Sequence, residues 1–247
     1  MFFMGIEIID FYDLKGNCLW NWERKKILRE QEIISRKSLT KKIVERILVW
    51  KSEIPEKNIS VKSVMMFLFD LKWNAYVVQR SNEKPENPWL WDKSIWWHVV
   101  KWDSYDKTAI KELTEELWIT SVIIDKTTNI EDAIQGFDLK NKAMLKQVWI
   151  LNNYISTRTT LSEKDYWYKI MNVWLYIWIY DWEVNFTDNE AQDKKMIPIE
   201  LLKEEIENNR ELYTEDMPIL LSNYNILVQM LTISKNVNEV LGSKDKY

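Results

Sequence analysis

The sequence predicts a mixed α/β layer architecture for most of its 247 residues. Short apolar runs of strand length alternate irregularly with amphipathic segments of helical period, and turn residues separate them. No solenoid-type repeat or low-complexity tract interrupts this pattern. A chain of this length can bury one substantial core, so we expect one main domain with an extension.

Residues 6–19 predict two short strands around a turn, and a charged stretch from Glu23 to about Val49 predicts a helix. Residues 51–62 carry Pro55 and several charges, which favours a linker. The main domain then begins with an apolar strand at 64–69, and a second strand at 75–79 completes a hairpin.

The polar run from Ser81 to Pro88 predicts a loop, which precedes a strand near 95–101 and a helix over 104–117. The remaining apolar or periodic stretches predict strands at 119–124, 147–151 and 173–180, and helices at 199–208 and 218–233. We accordingly divide the chain into an N-terminal extension, a main domain, and a C-terminal helix end and tail, with bounds of 1–60, 61–225 and 226–247.

Charge and cysteine content limit the class of protein. Lys and Arg number 34 against 38 for Asp and Glu, and a net charge of −4 gives no broad attraction to nucleic acid or to an anionic membrane. Cys18 is the only cysteine, which favours a reducing compartment. The N-terminus lacks a basic lead, and no apolar run reaches bilayer length. We expect a soluble, cytoplasmic protein.

Tryptophan and glycine are present in unusual proportions. The chain has 15 Trp and 4 Gly, whereas glycine ordinarily supplies about 7% of residues. The segment from Asp13 to Asn17 recurs from Asp70 to Asn74, with Trp73 in the place of Gly16. A hairpin turn of this kind needs positive φ, which glycine adopts and a bulky side chain resists.

Two further tryptophans occupy positions typical of glycine. Trp182 follows Asp181 after an apolar strand, and Trp118 stands where a left-handed C′ glycine ends a helix. We therefore hypothesise that the source organism reads UGA as glycine, and that many Trp in this sequence occupy glycine positions. Trp91 is interpreted as genuine. The alternative is a protein that is truly rich in Trp, with an aromatic core or a carbohydrate-binding surface.

Three carboxylates share one face of the predicted helix 104–117. Glu112, Glu115 and Glu116 lie at i, i+3 and i+4, while Ile110 and Leu113 lie on the opposite face together with Leu117. Acidic helix faces are usually only solvated. Three like charges at this spacing repel one another, however, and a divalent cation would relieve that repulsion.

The residues around this helix resemble the Nudix box, G-x5-E-x7-R-E-U-x-E-E-x-G-U, in which U is aliphatic. The match runs from position 97 to position 119 without a gap, and read with glycine at 96, 97, 102 and 118 it becomes very close. Trp97 and Trp118 fall on the two glycine positions of the pattern. Asp103 and Lys111 replace its first Glu and its Arg, and we expect these two residues to pair and brace the loop against the helix.

The resemblance extends over about residues 61–225. Asn87 to Val99 resembles the Nudix branch that is similar to isopentenyl-diphosphate isomerases. Family membership implies a Nudix-type α/β/α sandwich with a mixed β-sheet, and a Mg²⁺ or Mn²⁺ cofactor. By the same resemblance, Glu115 and Glu116 ligate the metal together with a backbone carbonyl near Trp97. Glu112 is a further ligand or orients the attacking water.

Three other residues are site candidates with open alternatives. Arg80 clamps a substrate phosphate or is a surface charge. His98, the sole histidine, contributes to substrate binding by supporting residues that contact the substrate, or it packs against a loop. Glu190 is an outer metal ligand or base, or an ordinary loop acid.

The resemblance implies a metal-dependent hydrolase that cleaves a diphosphate linkage in a nucleoside diphosphate derivative or a related small diphosphate. Specificity would come from loops between Asp125 and Tyr168. Two alternatives remain: an isopentenyl-diphosphate isomerase-like enzyme, and a catalytically silent binding or regulatory module. The isomerases use several histidines and a catalytic cysteine, whereas this chain has one histidine and an N-terminal Cys18.

Overall fold

A computed structural model describes residues 6–36, 58–72, 74–134, 136–159, 166–180, 184 and 191–222. Its elements alternate along the chain, as the sequence predicts. They are β1 Ile8–Tyr12, β2 Cys18–Glu23, α1 Arg24–Arg36, β3 Ser60–Phe69, β4 Asn74–Arg80, β5 Trp91–Asp92, β6 Ile95–His98, α2 Tyr105–Leu117, β7 Thr120–Ile123, α3 Ile130–Ile134, β8 Lys142–Thr159, β9 Tyr166–Ile179, β10 Ala191–Pro198, α4 Ile199–Asn208 and α5 Asp216–Ser222. No helix among these residues is both long and apolar enough to span a membrane.

Ten strands within the described ranges form one mixed sheet. Six of them follow the order β10-β4-β3-β9-β8-β7, while β1 and β6 also pair with β3, β2 pairs with β1, and β5 pairs with β4. The β3–β9 and β7–β8 pairs are parallel, and the other pairs are antiparallel. The predicted mixed sheet is therefore confirmed.

Helices cover both faces of the sheet because its central strands are apolar on both sides. On β3, Val64, Met66 and Leu68 lie in a buried cluster with the apolar residues of α2. The alternate residues Met65 and Phe67 lie in a second cluster, which includes residues of α1, α3, α4 and α5. This period-2 alternation places α2 on one face and the other helices on the opposite face. The α/β/α layers are confirmed.

Several predicted boundaries differ from the structure. β3 begins at Ser60, inside the predicted linker, and β8 and β9 are much longer than the strands predicted at 147–151 and 173–180. β8 and β9 stay paired through polar residues because backbone groups supply the hydrogen bonds between the strands. The register of the pair shifts on either side of Leu151. Strand residues 142–159 and 166–168 therefore occupy a large part of the segment from Asp125 to Tyr168, which the sequence predicted as specificity loops.

Some predictions fall on residues outside the described ranges. The predicted N-terminal helix is described only as far as Arg36, and the predicted C-terminal helix only as far as Ser222. Trp73, Trp182 and Glu190 also lie outside them.

The two repeated turns have the same hydrogen-bond geometry. The Asp13 carboxylate accepts the N–H groups two and four residues later, at 2.9 and 2.8 Å. The Asp70 carboxylate accepts the equivalent pair, at 2.8 and 2.8 Å. In the first turn Gly16 has φ +88°. The sequence repeat around Gly16 is therefore also a structural repeat in its described residues.

Three tryptophans adopt backbone conformations that favour glycine. Five non-glycine residues in the described ranges have positive φ: Asn87 (48°), Trp89 (66°), Trp102 (74°), Trp118 (58°) and Asn153 (50°). Asparagine tolerates this region, whereas a side chain such as Trp costs roughly 1–2 kcal/mol there. All three tryptophans are exposed, so little packing offsets the cost. These conformations support the glycine hypothesis.

Buried indoles give a second and independent observation. Among the described residues, four buried indole N–H groups have no hydrogen-bond partner, those of Trp96, Trp97, Trp167 and Trp178. The N–H of a buried tryptophan ordinarily finds an acceptor, because leaving it unpaired costs free energy. The surroundings of these four side chains are therefore poorly matched to tryptophan.

A buried ionic network connects α5 to the sheet and to the β5–β6 segment. The Asp216 carboxylate is 1% exposed and accepts hydrogen bonds from Ser156 (2.6 Å), Tyr154 (3.0 Å), Arg158 (3.2 Å) and Lys93 (3.2 Å). Burial alone would raise the pKa of Asp216, but Lys93, Arg158 and the Ser156 hydroxyl together hold it far below its ordinary value. The network therefore requires an ionised Asp216.

Replacing Asp216 with Asn should lower the free energy of unfolding by about 3–5 kcal/mol, because the buried cations Lys93 and Arg158 each lose one of their charged partners. Chemical denaturation at neutral pH measures the change. Since the folded-state pKa is depressed, this contribution is present above the ordinary Asp value and declines as the pH falls below it. The Asp132→Asn control, on exposed α3 surface, should change stability by less than about 0.5 kcal/mol. Equal effects of the two variants would contradict the assignment.

Replacing Trp118 with Gly should raise the free energy of unfolding by about 1 kcal/mol, because φ 58° is unstrained for glycine. Trp91→Gly is the matched control, since Trp91 packs against the core and its ring centroid lies 4.5 Å from Lys195 Nζ. That control should lose about 3 kcal/mol. Denaturant unfolding of both variants tests the glycine hypothesis at the protein level, and a destabilised Trp118→Gly protein would contradict it.

Candidate active site

Helix α2 positions the three predicted carboxylates. The Ser104 side chain caps the N-terminus of the helix by accepting a hydrogen bond from the Lys107 N–H at 3.1 Å. The helix ends at Trp118, whose backbone is left-handed and whose N–H donates to the Thr114 carbonyl at 3.1 Å. The helix buries Ala109 and Leu113 against the sheet. These features confirm the helix predicted over 104–117.

The three carboxylates differ in their exposure to solvent. Glu112 is only 3% exposed, Glu116 is half-buried, and the Glu115 side chain is 55% exposed. They share a helix face that turns from the protein interior at Glu112 towards solvent at Glu115. The sequence predicted the shared face, but the depth of Glu112 follows from the packing of α2 on the sheet.

Burial dominates the electrostatics of Glu112. Desolvation raises the pKa of Glu112 to about 8, Lys111 opposes the shift, and Glu115 and Glu7 add to it. Lys111 Nζ lies 4.0 Å from a Glu112 oxygen and 3.7 Å from a Glu115 oxygen. An ammonium group therefore lies close to both of these carboxylates.

The predicted pairing of Asp103 with Lys111 is wrong. Asp103 instead pairs with Lys107, one helical turn nearer to the loop, while Lys111 pairs with acids of its own helix. The reason is geometric, because the i and i+4 positions bring Lys107 directly over Asp103. The loop is thus attached to the first turn of α2.

The donor chemistry of the acidic face suits a divalent cation. Carboxylate oxygens are hard ligands of the kind that Mg²⁺ and Mn²⁺ accept, and a nearby cation would favour the ionised form of a buried Glu112. Within the described ranges, however, no three Asp, Glu, His or Cys side chains are arranged closely enough to hold a metal ion. The Glu115 side chain is exposed and has room to reorient. The ammonium group of Lys111 supplies positive charge at this face.

Residues from the N-terminal segment also reach this face, and sequence reasoning missed them. Arg24 pairs with Glu7 at 2.5 Å, and its guanidinium lies 4.8 Å from the Trp97 ring centroid. Both Arg24 and Glu7 influence the pKa of Glu112. The pairing of β1 with β3 brings Arg24 and Glu7 to the acidic face. No local pattern in the sequence predicts a contact between segments so far apart.

Arg80 is engaged within the protein. It donates to the Glu86 carbonyl at 3.1 and 3.0 Å and pairs with Asp92 at 3.5 Å. Its side chain is 20% exposed. It is thus more than a solvated surface charge, and its phosphate role stays a prediction.

His98 lies at the end of β6 with 2% exposure, and its Nε2 has no partner among the described residues. Burial, with the cations of Lys169, Arg24 and Arg158, holds the pKa of His98 well below its ordinary value. A neutral imidazole is therefore favoured. Its ring packs edge-on against Trp96, with the centroids 4.6 Å apart.

Trp97 precedes His98 on β6, and its indole lies in the cluster beneath α2. The side chains of Trp96 and Trp97 thus lie on opposite faces of the sheet. In this chain the indole of Trp97 fills space beside the acidic helix, at the position of the first Nudix-box glycine.

Similarity to known proteins is found at the level of structure and not of sequence. The sequence matches no protein-family model, and no curated protein matches it significantly.

Among solved structures, DR0079 from Deinococcus radiodurans aligns with a TM-score of 0.54 at 15% identity, over 87% of this chain and 97% of its own. A NUDIX hydrolase from Alicyclobacillus acidocaldarius aligns with a TM-score of 0.41 at 12% identity, over 70% of this chain and 96% of its own. The NUDIX domain of Shewanella oneidensis NrtR, complexed with ADP ribose, aligns with a TM-score of 0.37 at 12% identity, over 82% of this chain and 99% of its own.

The similarity to DR0079 establishes a shared fold and, at this identity, nothing further. The Nudix-like segment also has the layout that its pattern requires, a strand and loop leading into a capped acidic helix that packs on a mixed sheet between helical layers. The resemblance to the isopentenyl-diphosphate isomerase-like branch gains no separate support. The chain therefore has the predicted α/β/α sandwich with a mixed β-sheet, and it shares this fold with DR0079.

Proposed function

We propose that this protein is a Nudix hydrolase that cleaves a diphosphate linkage in a small molecule with the help of a divalent cation. The observation that carries the proposal is the set of Glu112, Glu115 and Glu116 on one face of α2, in the register of the Nudix box. A buried glutamate beside two accessible ones is a costly arrangement for a purely solvated surface. A cation-binding role accounts for that cost.

The metal would be Mg²⁺ or Mn²⁺, held by Glu115 and Glu116 with the backbone carbonyl of Trp97. When bound, it would neutralise diphosphate charge and acidify water for attack at phosphorus. Glu112, whose burial raises its pKa to about 8, would be a further ligand or would orient the water. Glu190 remains a candidate outer ligand.

The protein's own cations would bind the charged part of the substrate. Arg80 is positioned by the Glu86 carbonyl, which fixes the plane of the guanidinium, and a fixed guanidinium suits phosphate oxygens. Neutral His98 would line the site. The substrate class is a nucleoside diphosphate derivative or a related small diphosphate, with neither nucleic acid nor a membrane as partner, in the cytoplasm.

A catalytically silent Nudix-fold binding module is the second candidate. The position of Lys111, within 4.0 Å of both Glu112 and Glu115, favours it, because an internal ammonium can substitute for a metal's charge without activating water. Turnover separates the two candidates, since only the hydrolase releases product.

Metal-dependent release of phosphate or monophosphate from a panel of diphosphates tests the proposal. The protein should carry Gly at positions 73, 89, 96, 97, 102, 118 and 182, the glycine-like positions, so that tryptophan side chains there do not mask activity. Glu116→Gln in that protein should reduce kcat by at least about 100-fold, since loss of a metal ligand exceeds the effect of losing an outer-shell partner. The matched Glu200→Gln change, exposed on α4, should leave activity intact. Folded protein that releases nothing from any member of the panel would favour the silent module.

A further inference from the structure

We propose that the space occupied by the Trp96 indole is a binding pocket for a phosphate group of the substrate, formed by the side-chain cations of Lys93, Arg158 and Lys169. The inference deepens the proposed function, on which it rests, by assigning residues outside the Nudix box to substrate recognition. It also assigns a reason for a glycine at position 96.

Three cations from separate parts of the chain converge on one ring. Arg158 Cζ lies 5.0 Å, Lys169 Nζ 5.4 Å and Lys93 Nζ 6.0 Å from the Trp96 ring centroid. They come from β8, β9 and the segment between β5 and β6, respectively. One aromatic face ordinarily attracts a single cation, so three cations around one indole indicate a site shaped for a more strongly negative group.

These cations are withdrawn from water. The side chains of Lys93, Arg158 and Lys169 are 1%, 4% and 3% exposed. Burying charge is unfavourable unless partners compensate for it, and a protein retains such groups mainly where they have a role. An arginine and two lysines on one side of a pocket provide the donors that phosphate oxygens accept.

The described carboxylates compensate these cations only in part. Asp216 pairs with Lys93 and Arg158, and Glu86 pairs with Lys169 and Arg158. Asp92 pairs with Lys93 and also with Arg80. The cluster thus has four cationic side chains against three carboxylates. An anion in the pocket would balance the remaining positive charge.

The indole is a poor occupant of this space. The Nε1 of Trp96 is buried and has no hydrogen-bond partner in the described part of the chain, and the same is true of the Nε2 of its neighbour His98. The His98 ring lies 4.6 Å from the Trp96 ring, centroid to centroid, and its side chain is only 2% exposed. Two adjacent buried polar atoms without partners indicate that a ligand with hydrogen-bonding capacity belongs here.

The pocket would be accessible once the indole is removed. Trp96 is only partly buried, so glycine at this position leaves a cavity that reaches solvent, and a polar cavity of that kind fills with water or anions. Trp97, the next residue on β6, lies on the other face beside the acidic helix. A single short strand therefore separates the cationic pocket from the proposed metal site.

Binding of inorganic pyrophosphate, measured by isothermal titration calorimetry in EDTA, tests the pocket without the metal site. The full chain with Trp96→Gly should bind pyrophosphate at least about tenfold tighter than the unsubstituted chain. The matched Trp102→Gly protein, which loses an indole that is 86% exposed, should bind like the unsubstituted chain. Adding Glu116→Gln to Trp96→Gly should leave the tighter binding unchanged.

A paired substitution tests the residues themselves. In the Trp96→Gly protein, replacing Lys169 and Glu86 together with Gln removes one donor to the anion and the carboxylate that this donor shares with Arg158. The net charge is unchanged, and the gain in affinity should be abolished. A folded Trp96→Gly protein that binds pyrophosphate no tighter than the unsubstituted chain overturns the proposal. So does a Trp96→Gly protein that fails to fold where Trp102→Gly folds, since the pocket requires residue 96 to lack a side chain. Tight binding in EDTA by a protein that then releases nothing from the diphosphate panel when Mg²⁺ is supplied would overturn the proposed function and leave the pocket standing.

Discussion

The parallel pairing of β3 with β9 is the contact on which the rest of the molecule depends. It runs without a register shift from Ser60 opposite Ile170 to Phe69 opposite Ile179. Both strands are apolar on both faces, so their side chains alternate into the two buried clusters. α2 packs on one face of this pair, and the helices of the opposite layer pack on the other face.

Every part of the candidate site is attached to this pair. β6 lies antiparallel to β3 and brings residues 96–98 beside it, while α2 covers the face that carries Val64 and Met66. β1 pairs with the first residues of β3, and this pairing brings Arg24 and Glu7 towards Glu112. Of the buried cations, Arg158 and Lys169 lie on strands of the same sheet, and Lys93 lies between two of its strands. A slip of one residue in β3 would exchange its two faces and dismantle both the acidic face and the cationic pocket.

Tryptophan at glycine positions connects the sequence and the structure. Trp102 and Trp118 have left-handed backbone conformations and exposed indoles, while Trp96 and Trp97 have buried indole N–H groups without partners among the described residues. The first pair costs backbone energy and the second pair leaves polar groups unsatisfied. Glycine removes both costs, and it would open space on each side of β6, where the proposed chemistry and the proposed phosphate pocket lie.

The sequence by itself determined the local features: the helix over 104–117 with its three acids, the repeated Asp-to-Asn turn, the glycine-like positions of Trp102 and Trp118, and the mixed sheet. Short-range periodicity, capping and turn chemistry encode these features, so they can be read from neighbouring residues. Tertiary structure alone decided the burial of Glu112, the full length of β8, and the meeting of Lys93, Arg158 and Lys169 around Trp96. Those features depend on strand pairings between distant segments, which the register of β3 fixes and no local pattern specifies.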